Sequence, residues 1–164
     1  MDFQSEAKLQ NLYPRLADKV RQMADMLASE GIYIRVVQGL RTWQEQQTLY
    51  AQGRTQPGKI VTNAVGGYSY HNFGLAADCC PSEFAPGQPF NPDWNSSHPS
   101  WKRMETVAVS LGLTSGANWK RIIDAPHVQI TGRFPESVPT DETRKIFRDH
   151  GIEAVWAEVE KSYQ

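Results

Sequence analysis

"SYHNFGLAAD", residues Ser69–Asp78, sets a histidine and an aspartate seven positions apart around Gly74, in a stretch with no helical apolar period. An unbroken strand would turn His71 and Asp78 to opposite faces of a sheet, so a shared site requires a bend between them. Gly74 can adopt backbone angles closed to other residues, and the small side chains of "GLAAD" let a strand pass close to its neighbours. The expectation is a folded-back loop that runs directly into a strand and brings the two polar side chains together.

Upstream, Leu16, Val20, Met23 and Leu27 recur at i, i+4, i+7 and i+11 after Pro14, which reads as one buried helix face that stops at Gly31. "IYIRVVQG" follows, with Ile32, Ile34 and Val36 on one side of an expected strand. Thr42 with Glu45 three residues on forms a capping box for a helix that Gly53 closes. Residues 53–67 then read as a long surface loop around a short strand-like piece.

Downstream, residues 81–99 are dense in proline, asparagine and serine and read as an irregular excursion. Trp101, Met104, Val107, Ala108 and Leu111 restore helical spacing before a left-handed stop at Gly112. Pro126 biases Ala125 toward extended geometry ahead of a short strand, His127–Ile130. The tail reads as two short helices separated at Gly151.

The 164 residues, 40% hydrophobic and 21% charged, fit a single domain over 1–164 with a real core and no separate wall-binding module. A net charge of -1 supplies no basic field for nucleic acid, and no stretch suggests a membrane span or a secretory signal. A product soluble in the cytoplasm is expected. Cys79 and Cys80 are adjacent, which excludes a disulfide framework.

His71, Asp78 and His127 stand out as candidate metal ligands, although each alone has a plainer reading as a hydrogen-bonded, surface or capping residue. Two histidines and one carboxylate would suit catalytic zinc, which commonly keeps three protein ligands and an open position. Asp124, three residues before His127 across "AP", could handle protons beside such a site, or could be only a turn residue. Either cysteine thiolate could compete for the metal or act as a nucleophile with a histidine.

"SYHNFGLAAD" resembles the S-x-H-x-x-G-x-A-x-D motif of the zinc peptidoglycan peptidases, which include VanY-like D,D-carboxypeptidases, VanX-like D,D-dipeptidases and L-alanyl-D-glutamate endopeptidases. "DAPH", residues 124–127, is similar to their second motif. The likeness extends through "QGLRTWQEQQTLYAQGRTQPGKIVTNAVGG", which looks most like the phage endolysin and bacterial L-alanyl-D-glutamate peptidase branch, and through "WKRMETVAVSLGL" and "EAVW", roughly Leu12 to Trp156.

The resemblance implies an α+β fold with a small, mainly antiparallel sheet that carries a zinc site and is surrounded by helices. It implies Zn2+ on His71, Asp78 and His127, Asp124 as catalytic base, Arg41 facing the substrate or the oxyanion, and Ser69 in substrate binding. The expected activity is hydrolysis of the L-Ala to D-Glu bond of the peptidoglycan stem peptide, by a monomer released to the wall through a holin or, as a bacterial autolysin, exported by another route. A D,D-carboxypeptidase or dipeptidase, and a wall-binding module without turnover, are the alternatives. One departure stands out: many relatives carry "WGG-x-W" where this chain reads "TSGANW", which keeps only Trp119 and bears on the pocket wall. Trp94, Trp101 and Tyr68 could line a groove, although an aromatic is more often a core residue, and Lys59 and Arg54 could meet acidic stem-peptide groups, although solvated loop charges are the commoner case. His98 and His150 are expected to be structural or at the surface.

Overall fold

The computed structural model of the chain describes residues 1–82, 88–89, 91–120 and 123–164. The central part of the expected irregular excursion, residues 83–87 and 90, lies outside them, as do residues 121 and 122, where the sequence suggests a turn before His127. The described residues form two compact units, Met1–Gly39 with Ala76–Ile130, and Leu40–Leu75 with Thr131–Gln164.

The first unit is built on a four-stranded antiparallel sheet. Strands β1 (Tyr33–Gln38), β2 (Ala76–Ser82), β3 (Thr114–Ser115) and β4 (His127–Gln129) lie in the order β1-β2-β4-β3. Helices α1 (Phe3–Leu9), α2 (Pro14–Ala28) and α4 (Pro99–Ser110) belong to the same unit. The apolar stripe of α2 is buried as its spacing requires, with Leu16, Val20, Met23 and Leu27 fully enclosed. Each such side chain contributes about 1.5–3 kcal/mol by leaving water. Pro14 occupies the first turn, where a missing N–H costs nothing.

The short helix α1 carries too few apolar positions to announce itself in the sequence. Asp2 caps it by accepting from the Ser5 N–H, and the same carboxylate accepts from Arg35 Nε at 3.1 Å. Ser5 is fully buried, and its hydroxyl accepts the Val36 N–H at 3.0 Å, beside the register shift of β1 between Val36 and Gln38. A backbone donor displaced from the ladder is thereby satisfied by a helix side chain.

The second unit carries α3 (Trp43–Ala51), α5 (Asp141–His150) and α6 (Ile152–Glu160), with a one-turn 3-10 helix at Tyr70–Phe73. Both halves of the Thr42 and Glu45 capping box are present at the start of α3. Trp43 stacks on Phe147 at 5.6 Å between centroids, and Phe73 meets Phe147 edge-on at 5.4 Å. The Trp156 indole N–H donates to the Phe73 carbonyl at 2.7 Å, which ties α6 to the 3-10 turn. Gly151 separates α5 from α6 with φ 86°, as its position in the tail suggested. The strand-like piece expected between Gly53 and Gly67 does not form. Arg54 instead gathers that loop by donating to the Tyr50 and Thr62 carbonyls and to Asn63 Oδ1, so its side chain serves the loop's shape. No helix among the described residues is long and apolar enough to cross a membrane.

Candidate active site

The bend demanded by the opening motif is real. His71 lies on the 3-10 turn, Gly74 closes that turn in the left-handed region at φ 64° and ψ 20°, and β2 begins two residues later. Asp78 then stands opposite His127 in the β2-β4 register. Directly opposed residues share a face of the sheet, with Cβ atoms about 5 Å apart. His127 Nδ1 accordingly lies 3.3 Å from Asp78 Oδ1. His71, Asp78 and His127 are a group that could hold a metal ion. Two imidazoles and one carboxylate suit a borderline-soft divalent cation.

The other nitrogen of His127 is also engaged. Nε2 lies 2.8 Å from Oε1 of Gln129, a residue with 1% exposure. An amide oxygen can only accept, so Nε2 carries a proton, and in the neutral ring the lone pair lies at Nδ1, on the Asp78 side. Burial pushes the His127 pKa down, but the hydrogen bond and charge of Asp78, with Gln129 and Asp124, outweigh it and hold the pKa above its ordinary value. A positive charge at this ring is therefore favoured by its surroundings.

Asp124 is placed by the turn that leads into β4. Its N–H donates to the Gly116 carbonyl at 3.0 Å, and its carbonyl accepts the His127 N–H at 3.1 Å. Its carboxylate, 43% exposed, reaches 4.0 Å from His127 Nδ1. Gly116 comes from the departing "TSGANW" segment, and the structure gives its reason. A Cβ there would meet the Asp124 carbonyl oxygen at 2.5 Å and His127 Cβ at 3.0 Å. Trp119 packs its ring against the His127 imidazole, 4.9 Å between centroids.

Arg41 immediately precedes the N-cap of α3. Its N–H donates to the His71 carbonyl at 3.0 Å, and its carbonyl accepts from Asn72 Nδ2 at 2.9 Å. The Arg41 backbone is thus bound to the same turn that carries His71. Ser69 caps that turn in extended conformation, and its carbonyl accepts the Asn72 N–H at 3.0 Å.

Cys79 is fully buried and burial drives its thiol pKa far upward, while Cys80 is pushed up to about 12, chiefly by burial. Burial of this kind disfavours the thiolate that a nucleophile or a competing metal ligand would need, and fits the plainer reading of small buried side chains. Trp101 is a core residue at 4% exposure, the commoner of its two readings, and its indole N–H donates to the Asp93 carbonyl. Tyr68 is exposed and lies under the Arg144 guanidinium, 3.8 Å from its ring centroid. His98 caps α4 by accepting from the Ser100 N–H, the structural role expected of it. Gln129, Gly116 and Asn72 were missed, because lone amides and a glycine outside any periodic run carry no sequence signal of what they touch.

The family profile "VanY: D-alanyl-D-alanine carboxypeptidase" matches residues 9–121. Over 118 residues the chain is 37% identical to the peptidoglycan L-alanyl-D-glutamate endopeptidase CwlK of Bacillus subtilis, an alignment that covers 68% of this chain and 71% of that protein. The crystal structure of the L-Ala D-Glu endopeptidase ChiX of Serratia marcescens is similar in fold, with a TM-score of 0.54, 20% identity and 92% of each chain covered.

Proposed function

The chain belongs to the VanY D-alanyl-D-alanine carboxypeptidase family, and from that membership we propose that it is a zinc endopeptidase cutting the L-Ala to D-Glu bond of the peptidoglycan stem peptide. The observation that carries the choice of bond is the 37% identity to a relative named for it. The His71, Asp78 and His127 cluster supports the metal.

In this reading His71, Asp78 and His127 hold the ion, which supplies Lewis-acid activation of water and of the scissile carbonyl. Asp124 takes the proton from the attacking water and delivers it to the nitrogen of the departing D-Glu. Its exposure and its 4.0 Å distance from His127 Nδ1 suit a group beside the cluster and open to solvent. Arg41 faces the oxygen on which negative charge develops, where one donor is typically worth about 10²- to 10³-fold in rate. Ser69 binds substrate through its hydroxyl. Action as a monomer, and release from the cytoplasm through a holin, belong to the same reading.

A second reading is favoured by the family description itself, which names a D-alanyl-D-alanine carboxypeptidase. Mass spectrometry of purified peptidoglycan digested with the zinc-loaded protein separates the two. Stem peptides newly beginning at D-Glu are the expected products. Loss of terminal D-Ala alone would move the assignment to the carboxypeptidase, and unaltered material would overturn both.

A further inference from the structure

We propose that Gln46 is a positioning residue that aims the Arg41 guanidinium, an inference that rests on the reading of Arg41 as the oxyanion-facing cation. An arginine side chain has many rotamers, and the bonds from His71 and Asn72 hold only its backbone. The guanidinium is held by α3. Arg41 Nη1 donates to Gln46 Oε1 at 2.7 Å. Gln46 Nε2 in turn donates to the Ala64 carbonyl at 2.8 Å and to Thr62 Oγ1 at 3.3 Å.

Three features set this amide apart from a loop tie. Gln46 is the buried residue of α3, at 0% exposure, in a position where a helix ordinarily places an apolar side chain. A buried amide costs stability unless its hydrogen bonds are made, and here both ends are satisfied. Its orientation is also dictated. Turning it over would press N–H against the guanidinium and oxygen against the Ala64 carbonyl. Only glutamine as oriented can accept from a cation at one end and donate to a carbonyl at the other. The same side chain therefore links the aim of Arg41 to the loop at Thr62–Ala64.

A double-mutant cycle tests this, with kcat and KM measured on a soluble peptide carrying the L-Ala to D-Glu bond. Gln46→Met is compared with glutamine in the Arg41 background and in the Arg41→Ala background, and thermal midpoints are recorded for all four proteins. With Arg41 present, Gln46→Met should lower kcat about tenfold with little change in KM, less than the loss from removing an oxyanion donor outright. With Arg41→Ala, the same substitution should change kcat by less than about twofold. Equal losses in both backgrounds would overturn the positioning role and leave Arg41 its own. An Arg41→Ala protein with unchanged kcat would instead overturn the reading of Arg41, and this inference with it. Should Gln46→Met lack a cooperative thermal transition, Gln46→Glu replaces it. That side chain keeps an acceptor for Arg41 but neutralises its charge, so the loss in kcat should again vanish without Arg41, and a loss that persists would count against the proposal.

Discussion

Asp78 and His127 face each other across two antiparallel strands, with Asp78 Oδ1 3.3 Å from His127 Nδ1, while the far side of the same imidazole is held by Gln129. The sheet register thus does for this pair what a loop could do only loosely: it presents a carboxylate and an imidazole nitrogen to one point.

Asp124→Asn should keep the metal and lose turnover by about 10²- to 10⁴-fold, the usual worth of a positioned acid and base. His127→Ala should lose both. Metal content by elemental analysis, read beside kcat, separates the two, and normal activity in both variants would sink the site.

Gln129→Leu should weaken zinc affinity by about 10- to 100-fold, because His127 then loses the acceptor that sets its tautomer. Competition titration with a chromophoric chelator measures this directly. Wild-type affinity would show that Gln129 has only a packing role.

The raised pKa of His127 implies a proton that competes with the metal. In the metal-free protein, the stability gained from the protonated ring is present below the ordinary histidine pKa and is lost as pH rises through the higher folded value. Zinc affinity should therefore climb with pH across about 6 to 8, with proton release on binding. Calorimetry in buffers of different ionisation enthalpy counts that proton, and pH-independent affinity would contradict the assignment.

Gly116→Ala forces a Cβ to within 2.5 Å of the Asp124 carbonyl oxygen, which is backbone and cannot turn aside. The variant should lose about 1–3 kcal/mol of stability, as overpacking generally costs, and should bind zinc less tightly. Unchanged denaturation and zinc titrations would mean that the turn yields more readily than its contacts suggest.

Far from the site, Asp2→Ala should cost about 1 kcal/mol through loss of the α1 cap. Burial alone would raise the Asp2 pKa, but the hydrogen bonds from Ser5 and the charge and hydrogen bond of Arg35 lower it. Its contribution is present above the ordinary carboxylate value and fades as pH falls through the lower folded one. The stability gap between wild type and variant should thus narrow in acid, and a gap constant down to about pH 2 would exclude the linkage.

How much of this was legible beforehand follows from the range of the interactions. The α2 stripe, the Thr42 and Glu45 box, the stops at Gly112 and Gly151 and the bend at Gly74 are local, set by residues within a turn or two of one another. The family motifs sit on that local grammar, so His71, Asp78 and Asp124 could be nominated with no fold in hand. Helix α1 escaped because its support comes from Arg35 and Val36, about thirty residues away. The two-residue strand β3 escaped because nothing so short has a period.

By itself, then, the sequence determined which side chains could do chemistry and where the chain must bend, because propensity, capping and glycine freedom act along the chain. Only tertiary structure decided that Asp78 pairs with His127, that Gly116 must lack a Cβ, that Gln129 orients a ring and that Gln46 holds a guanidinium. Those outcomes depend on strand register and close packing. A shift of one residue in register would turn Asp78 to the other face of the sheet, and no local pattern records it.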